Sequence, residues 1–342
     1  MQPGCLTIMK IGRCESGPGY PIVRLRRLRK TPAIRDLLQE THLSVKDLVS
    51  PIFVQERLTK RETIESMPGI ERIPPSEIID EVQNVLDLGI RGIIVFGIPF
   101  NKNKKAGSAF SEDGIVQDSV RAVRKHFGNR IAIITDVCLC QYTTNGHCGI
   151  ESRGIIDNDI SVRTLTKVAT SHAKAGADMV APSAMMDGQV KAIREGLDVN
   201  GCEDVAILAY SAKHASPLYG PFRDIACSRP QFGDRGTYQM SFTNPREAMH
   251  EIEEDIREGA DIIMIKPAIP YLDLIYQAKK MTNLPICAYS VSGEYALIKA
   301  ASGNGLIDED SVMTEFLNSI KRAGADLIIT YYAKKMAGLL ND

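Results

Sequence analysis

The chain has no surplus of charge: 41 lysines and arginines against 42 aspartates and glutamates leave a net −1 over 342 residues. No global field therefore draws it to nucleic acid or to an anionic membrane. No apolar run approaches the roughly 18 residues of a membrane span, and Met1 to Tyr20 lacks the continuous apolar stretch of a secretory signal. These absences predict a soluble, cytoplasmic protein, and eight cysteines in such a chain imply a reducing compartment. Basic clustering is confined to Arg24-Leu-Arg-Arg-Leu-Arg-Lys30, which leads straight into the amphipathic segment Thr31 to Leu38. That continuity favours a solvated arm packing on a neighbouring subunit over a polyanion-binding patch. The first 22 residues read as a disordered leader, residues 23–45 as the arm and 46–342 as the catalytic domain.

With 44 % hydrophobic residues there is ample material for a core. Eight short β-branched runs read as strands buried on both faces: Pro51–Val54, Gly92–Phe96, Arg130–Thr135, Asp178–Ala181, Val205–Ala209, Asp261–Ile265, Pro285–Ala288 and Asp326–Thr330. Between them lie segments of helical period at 77–88, 114–127, 161–175, 189–197, 244–258, 271–281 and 310–322. A weak echo, Ala175-Gly-Ala-Asp178, Glu258-Gly-Ala-Asp261 and Ala323-Gly-Ala-Asp326, ends a helix and opens a strand three times. The alternation predicts an α/β protein, a (β/α)8 TIM barrel with an N-terminal arm, with a doubly wound open sheet as the lesser alternative. In a barrel the chemistry sits at the C-terminal ends of the strands, where Asp136, Cys138, Ser183, Lys213, Lys266, Ser292 and Tyr331 fall.

Cys138, Cys140 and Cys148 lie in one turn-rich loop. Three thiols with no fourth nearby suit a catalytic zinc, which keeps one position for water or substrate; a redox disulfide or three buried thiols are the other readings. Cys202, Cys227 and Cys287 are scattered, and each is expected to be a buried small apolar side chain. Lys266 leaves an apolar strand, with Lys213 at the end of the strand before it. Burial and a neighbouring cation both lower an amine's pKa and make it nucleophilic towards ketones, although two snorkelling or ion-paired lysines fit the sequence equally well.

Four separated blocks, in order, resemble the zinc-type porphobilinogen synthase (5-aminolaevulinate dehydratase) family: Asp136 to Gly149, Tyr210-Ser-Ala-Lys213 with Tyr219-Gly-Pro-Phe-Arg-Asp224, Met264-Ile-Lys-Pro267, and Tyr289-Ser-Val-Ser-Gly-Glu-Tyr295. The resemblance runs from about Arg24 to the C-terminus and implies that two 5-aminolaevulinate molecules are condensed to porphobilinogen through lysine Schiff bases. It places the first substrate on Lys266 and the second against Lys213. Ser292 and Tyr331 match the hydroxyl donors for the first carboxylate, and Arg223, Arg235 and Gln239 the partners of the second. Asp136 and Ser183 match residues at the first amino group, with Asp136 also moving protons, while Tyr219 and Phe96 wall the pocket.

The resemblance further implies that the three cysteines hold zinc at the second substrate, as other family members with acidic residues there hold magnesium. His147 beside them could be a fourth ligand but is expected in a supporting or surface role, and Thr237 offers no thiol to a second zinc. Glu251 falls where many bacterial-type enzymes bind an allosteric magnesium, although Glu253, Glu254 and Asp255 make a plain solvated acidic face the alternative. A homo-octamer of arm-hugging dimers is the implied assembly. Pro217 to Ser241 shows no helical or strand period and reads as a lid or a disordered stretch; as a lid it would close over the site. A class I aldolase would need one lysine and no thiolate metal, and the intact set of polar site residues counts against the third reading, a non-catalytic barrel that binds metal or ligand in an interaction role.

Overall fold

The computed structural model describes residues 19–341. All eight apolar runs are strands: β1 Leu48–Gln55, β2 Gly92–Ile98, β3 Ala132–Val137, β4 Met179–Pro182, β5 Ala206–Lys213, β6 Ile262–Lys266, β7 Ile286–Ser290 and β8 Leu327–Thr330. They pair in parallel in sequence order, and β8 returns to β1 through Leu48↔Ile328 and Val49↔Ile329. That closing pair makes the sheet a (β/α)8 barrel and removes the open-sheet alternative. Every residue of β2, β6 and β7 is buried, as expected of strands whose two faces meet the barrel interior and the helical layer.

The outer layer is α1 Ile78–Asp87, α2 Ile115–Phe127, α3 Asn158–Ala175, α4 Gln189–Val199, α5 Pro245–Glu258, α6 Leu272–Met281, α7 Ser292–Gly303, α8 Glu309–Ala323 and α9 Ala333–Asn341. Two of these, α7 and α9, have no counterpart among the expected helices. Short strand pairs also form, Glu62–Thr63 with Glu71–Ile73 and Ile150–Ser152 with Ile155–Asp157.

The Gly-Ala-Asp echo is a structural device. Gly176, Gly259 and Gly324 hold φ of +107°, +99° and +122° and end α3, α5 and α8. The aspartate that follows then brackets one residue of the neighbouring strand. Asp178 accepts from Ile133 N at 2.7 Å and donates its own N–H to Ile133 O at 2.9 Å. Asp261 does the same with Ile207, and Asp326 with Ile286.

The chain divides into two compact units at His42 and Leu43. In the first, Leu25–Arg29 is a turn of 3-10 helix and Pro32–Leu37 is helical, with Thr31 Oγ1 accepting from Ile34 N at 3.3 Å. Neither segment has a buried residue. The expected leader, with Cys5 and Cys14, lies outside the described residues apart from its last four positions. Among the described residues no helix is long and apolar enough to cross a membrane.

Candidate active site

Lys213 and Lys266 end adjacent strands as register partners, each 5 % exposed. Between Ala209↔Ile263 and Ala212↔Ile265 the strand β5 carries one residue more than β6. This bulge turns Tyr210 inward together with Lys213, whereas Ser211 faces outward to Asp255 on α5. Lys266 Nζ then stands over four aromatic faces: 3.9 Å from the ring centre of Tyr289, 5.1 Å from Tyr210, 5.1 Å from Phe222 and 5.4 Å from Tyr219. Burial first, and the charge of Lys213 second, bring its pKa down to about 7.

Lys213 Nζ donates to Ser183 O, which ties β5 to the end of β4. Asp136 is buried near the top of β3, where Gln141 Nε2 donates to it at 3.3 Å. Burial raises its pKa, opposed by Lys213, Ser183 and Lys266, so the carboxyl lies in the field of both lysines.

The loop after β3 gathers its thiols. Cys138, Cys140 and Cys148 are buried, with all three sulfurs within 4.8 Å of one another and Cys138 to Cys140 at 3.4 Å. Zinc–sulfur bonds near 2.3 Å in a tetrahedron place sulfurs about 3.8 Å apart, so the trio fits that ion. Cys148 is held well below the ordinary thiol range by the bonds from Cys138 and Cys140, with Arg235 and Lys213 adding positive charge. Gly146 makes the turn possible at φ +71°, where a Cβ would come 2.2 Å from Arg229 O. His147 is buried rather than on the surface. Its Nδ1 meets Tyr238 Oη and its Nε2 meets Phe232 O, both at 2.9 Å, so neither nitrogen is left for a metal.

The Pro217 to Ser241 segment is less irregular than expected, because Gly220–Ile225 is a short helix. It rests on the rim through Gln231 N to Asn145 O at 2.9 Å and Ala215 N to Met240 O at 2.8 Å. Arg235 is buried and donates to Gly146 O and Ser228 O, leaving its Nε without a partner. Arg223 Nε and both amide atoms of Gln239 are likewise buried and unpartnered. Burial, then the nearby Arg235, lowers the pKa of Arg223. Orphaned donors of this kind cost about 1–3 kcal/mol each unless a ligand meets them.

On the other side, Tyr219 Oη donates to Lys266 O at 3.1 Å. Ser292, the first residue of α7, donates to Leu218 O at 3.1 Å and accepts from Phe222 N at 3.0 Å, so its one proton is committed to the lid. Tyr331 follows β8, its hydroxyl 3.2 Å from that of Tyr289. Phe96 is stacked on Phe53 at 5.0 Å and meets the edge of Phe222 at 5.4 Å, which places it beneath the helix Gly220–Ile225.

Glu251 shares a cavity of about 700 Å³ with Gln239 and His147 but not with the lysines or the thiols. Asp187, Glu247 and Thr237 line it too, and burial followed by Asp187 and Glu247 raises the pKa of Glu251. The acidic face beside it is not uniformly solvated: burial pushes Asp255 up to about 7, while Glu253 and Glu254 pair with Arg257. Of the scattered cysteines Cys287 is buried, but Cys202 is only partly so and Cys227 is exposed in a φ +49° turn that ends the lid helix. Tyr210, Tyr289, Phe222, Gln141 and Glu294, which lie within the four blocks but carry no assigned role in the sequence reading, join the site. Inward alternation on β7 could have found Tyr289; nothing in the sequence marks the bulge that turns Tyr210.

The profile of the delta-aminolevulinic acid dehydratase family matches residues 22–339. The chain is 52 % identical over 318 residues to the delta-aminolevulinic acid dehydratase of Archaeoglobus fulgidus, covering 93 % of this chain and 98 % of that one. It is 50 % identical to that of Synechocystis sp., covering 94 % and 100 %. It also superposes, with a TM-score of 0.90 and 43 % identity over 93 % and 91 % of the two chains, on the Toxoplasma gondii ME49 delta-aminolevulinic acid dehydratase (porphobilinogen synthase) solved in complex with the reaction product porphobilinogen. A closed barrel, a lysine pair on one rim and matches spanning nearly the whole chain lead to one conclusion: this chain belongs to the delta-aminolevulinic acid dehydratase family.

Proposed function

We propose that this enzyme, a porphobilinogen synthase, condenses two 5-aminolaevulinate molecules to porphobilinogen and two waters by way of an imine on Lys266. The observation that carries the reading is the register pairing of Lys213 with Lys266 in an aromatic, buried setting that brings the Lys266 amine to about 7. A neutral fraction of that amine attacks the ketone of the first substrate, the carbonyl oxygen leaves as water, and a C=N bond replaces it. Asp136, within the field of both lysines, takes and returns protons at the first substrate's amino group, beside Ser183.

Tyr331 holds the first carboxylate, joined by Ser292 once its hydroxyl turns from Leu218 O, with Tyr219 and Phe96 closing the pocket around it. Arg223, Arg235 and Gln239 hold the second carboxylate, which would satisfy the donors left orphaned beneath the lid. Lys213 binds or activates the second substrate, and a second water leaves before Lys266 returns to the free amine. Cys138, Cys140 and Cys148 would hold a zinc ion, which when bound supplies Lewis acidity at the second substrate. A single-lysine aldolase has no use for Lys213 or for the thiols.

The same reading gives the enzyme a place in tetrapyrrole synthesis in the cytoplasm, an octamer built through the arms and a magnesium site at Glu251. Borohydride reduction in the presence of 5-aminolaevulinate tests its centre. The stable adduct should map to the peptide containing Lys266, and Lys266→Met should lower pyrrole formation by more than about 1000-fold with the barrel still folded. An adduct found only elsewhere, or activity surviving in that variant, would overturn it.

A further inference from the structure

We propose that Glu294 is a positioning residue that sets the spacing between Lys266 and Ser292, and so matches the first site to a ketone carrying a carboxylate at one distance. The proposal rests on reading Lys266 as the imine-forming amine and Ser292 as a partner of the same substrate's carboxylate.

Glu294 is the third residue of α7 and is 3 % exposed. At that place a glutamate commonly reaches back to the first free N–H of its own helix, and here one oxygen accepts from Val291 N. The other oxygen is spent elsewhere. It accepts from Ile269 N at 2.5 Å, in the loop that follows Lys266 and Pro267, with Ala268 N–H close by. Among the described residues no lysine or arginine forms an ion pair with the carboxylate, and burial pushes its pKa up to about 7. Capping alone needs neither a buried charge nor a partner on another strand's loop.

The two bonds complete a circuit around the rim. Lys266 O accepts from Tyr219 Oη and from His214 N, each at 3.1 Å. Tyr219 belongs to the lid turn that Ser292 Oγ holds at Leu218 and Phe222. Gly293 lets that turn close, because a Cβ there would come 2.6 Å from Leu218 Cα. Ser292 sits in the first turn of α7, Glu294 caps that turn, and Glu294 returns to Ile269, three residues after Lys266. Its carboxylate is the link between the β6 loop and the start of α7.

The test compares two ketones in the full-length zinc-loaded enzyme and its Glu294→Gln and Glu294→Ala variants. One is 4-oxopentanoate, which must reach both Lys266 and the carboxylate partners; the other is acetone, which needs only Lys266. Borohydride trapping of 4-oxopentanoate should fall about 10- to 100-fold in both variants, since Gln cannot accept on both sides. Trapping of acetone should change by less than about 3-fold, which a general loss of structure would not allow. Glu294→Gln, nearly equal in shape, keeps the contrast readable if the alanine variant fails to fold. Equal losses for both ketones, or wild-type trapping of both in a folded variant, would overturn the proposal. Absence of any Lys266 adduct in the unaltered enzyme would instead overturn the imine reading beneath it.

Discussion

Lys266 Nζ lies 3.9 Å from the ring centre of Tyr289, the shortest of its four aromatic contacts. Such a face favours the charged amine by about 2 kcal/mol when desolvated. Moving the amine from its ordinary 10.5 to about 7 corresponds to about 5 kcal/mol in the other direction. Desolvation and Lys213 therefore outweigh the ring's pull towards the charged form.

Imine formation should accordingly rise with pH through about 7 and level off above it, because only the neutral amine attacks. Lys213→Met removes a positive charge that lowers the Lys266 pKa, so the limb should move to higher pH. The rate of borohydride trapping across pH measures this. A limb that stays in place would take Lys213 out of the account.

Removing metal with a chelator should switch pyrrole formation off, and zinc should restore it where magnesium alone does not. Cys148→Ala should weaken zinc binding, read by competition with a chromophoric chelator, by more than the roughly 10- to 100-fold typical of outer partners. The Lys266 imine should still be trapped in the metal-free enzyme, since the proposed zinc serves the second substrate. Full rescue by magnesium would contradict the thiolate site.

Gly146→Ala should destabilise the protein by about 1–3 kcal/mol and weaken zinc binding as well, because φ +71° and a backbone oxygen 2.2 Å from the new Cβ both resist it. Thermal melting and zinc titration report the two effects. A variant that binds zinc normally would show that the turn does not place Cys148.

Deleting residues 1–20 should leave activity intact, whereas deletion through Leu38 should shrink the particle in light scattering and lower the rate. Leu25, Leu28 and Leu37 in the arm are exposed in the single chain, as apolar groups awaiting a partner surface would be. An unchanged particle after the longer deletion would remove the arm from assembly.

Glu251→Ala should reduce stimulation by magnesium and leave zinc-dependent turnover unchanged, since Glu251 faces the acidic cavity and not the lysines. Assays with and without magnesium at saturating zinc separate the two.

The barrel was legible because its strands are short apolar runs alternating with helical segments, and Lys213 and Lys266 were legible as a pair through the blocks Tyr210 to Lys213 and Met264 to Pro267. Helix α7 was not, since it starts on Ser292-Gly293, residues that read as a turn until Glu294 caps them. Period-two alternation would put Ser211 beside Lys213 on the inner face; the extra residue in β5 puts Tyr210 there instead. Cys227 looked like core by residue type, but its place at the end of the lid helix exposes it. The role of Glu294, though the residue sits in the last block, was not legible because its second partner, Ile269, is 25 residues away along the chain.

The aspartate brackets at Ile133, Ile207 and Ile286 act as a gauge for the whole barrel. A strand that slipped by one residue would offer its amide one position too high, and the matching carboxylate would face a carbonyl. Asp261 checks β5 against β6 in this way at the rim opposite the lysines. The height at which Lys213 meets Lys266 is thus set jointly by this bracket and by the extra residue of β5, so the alignment of the two buried amines is written partly at the far end of the strands.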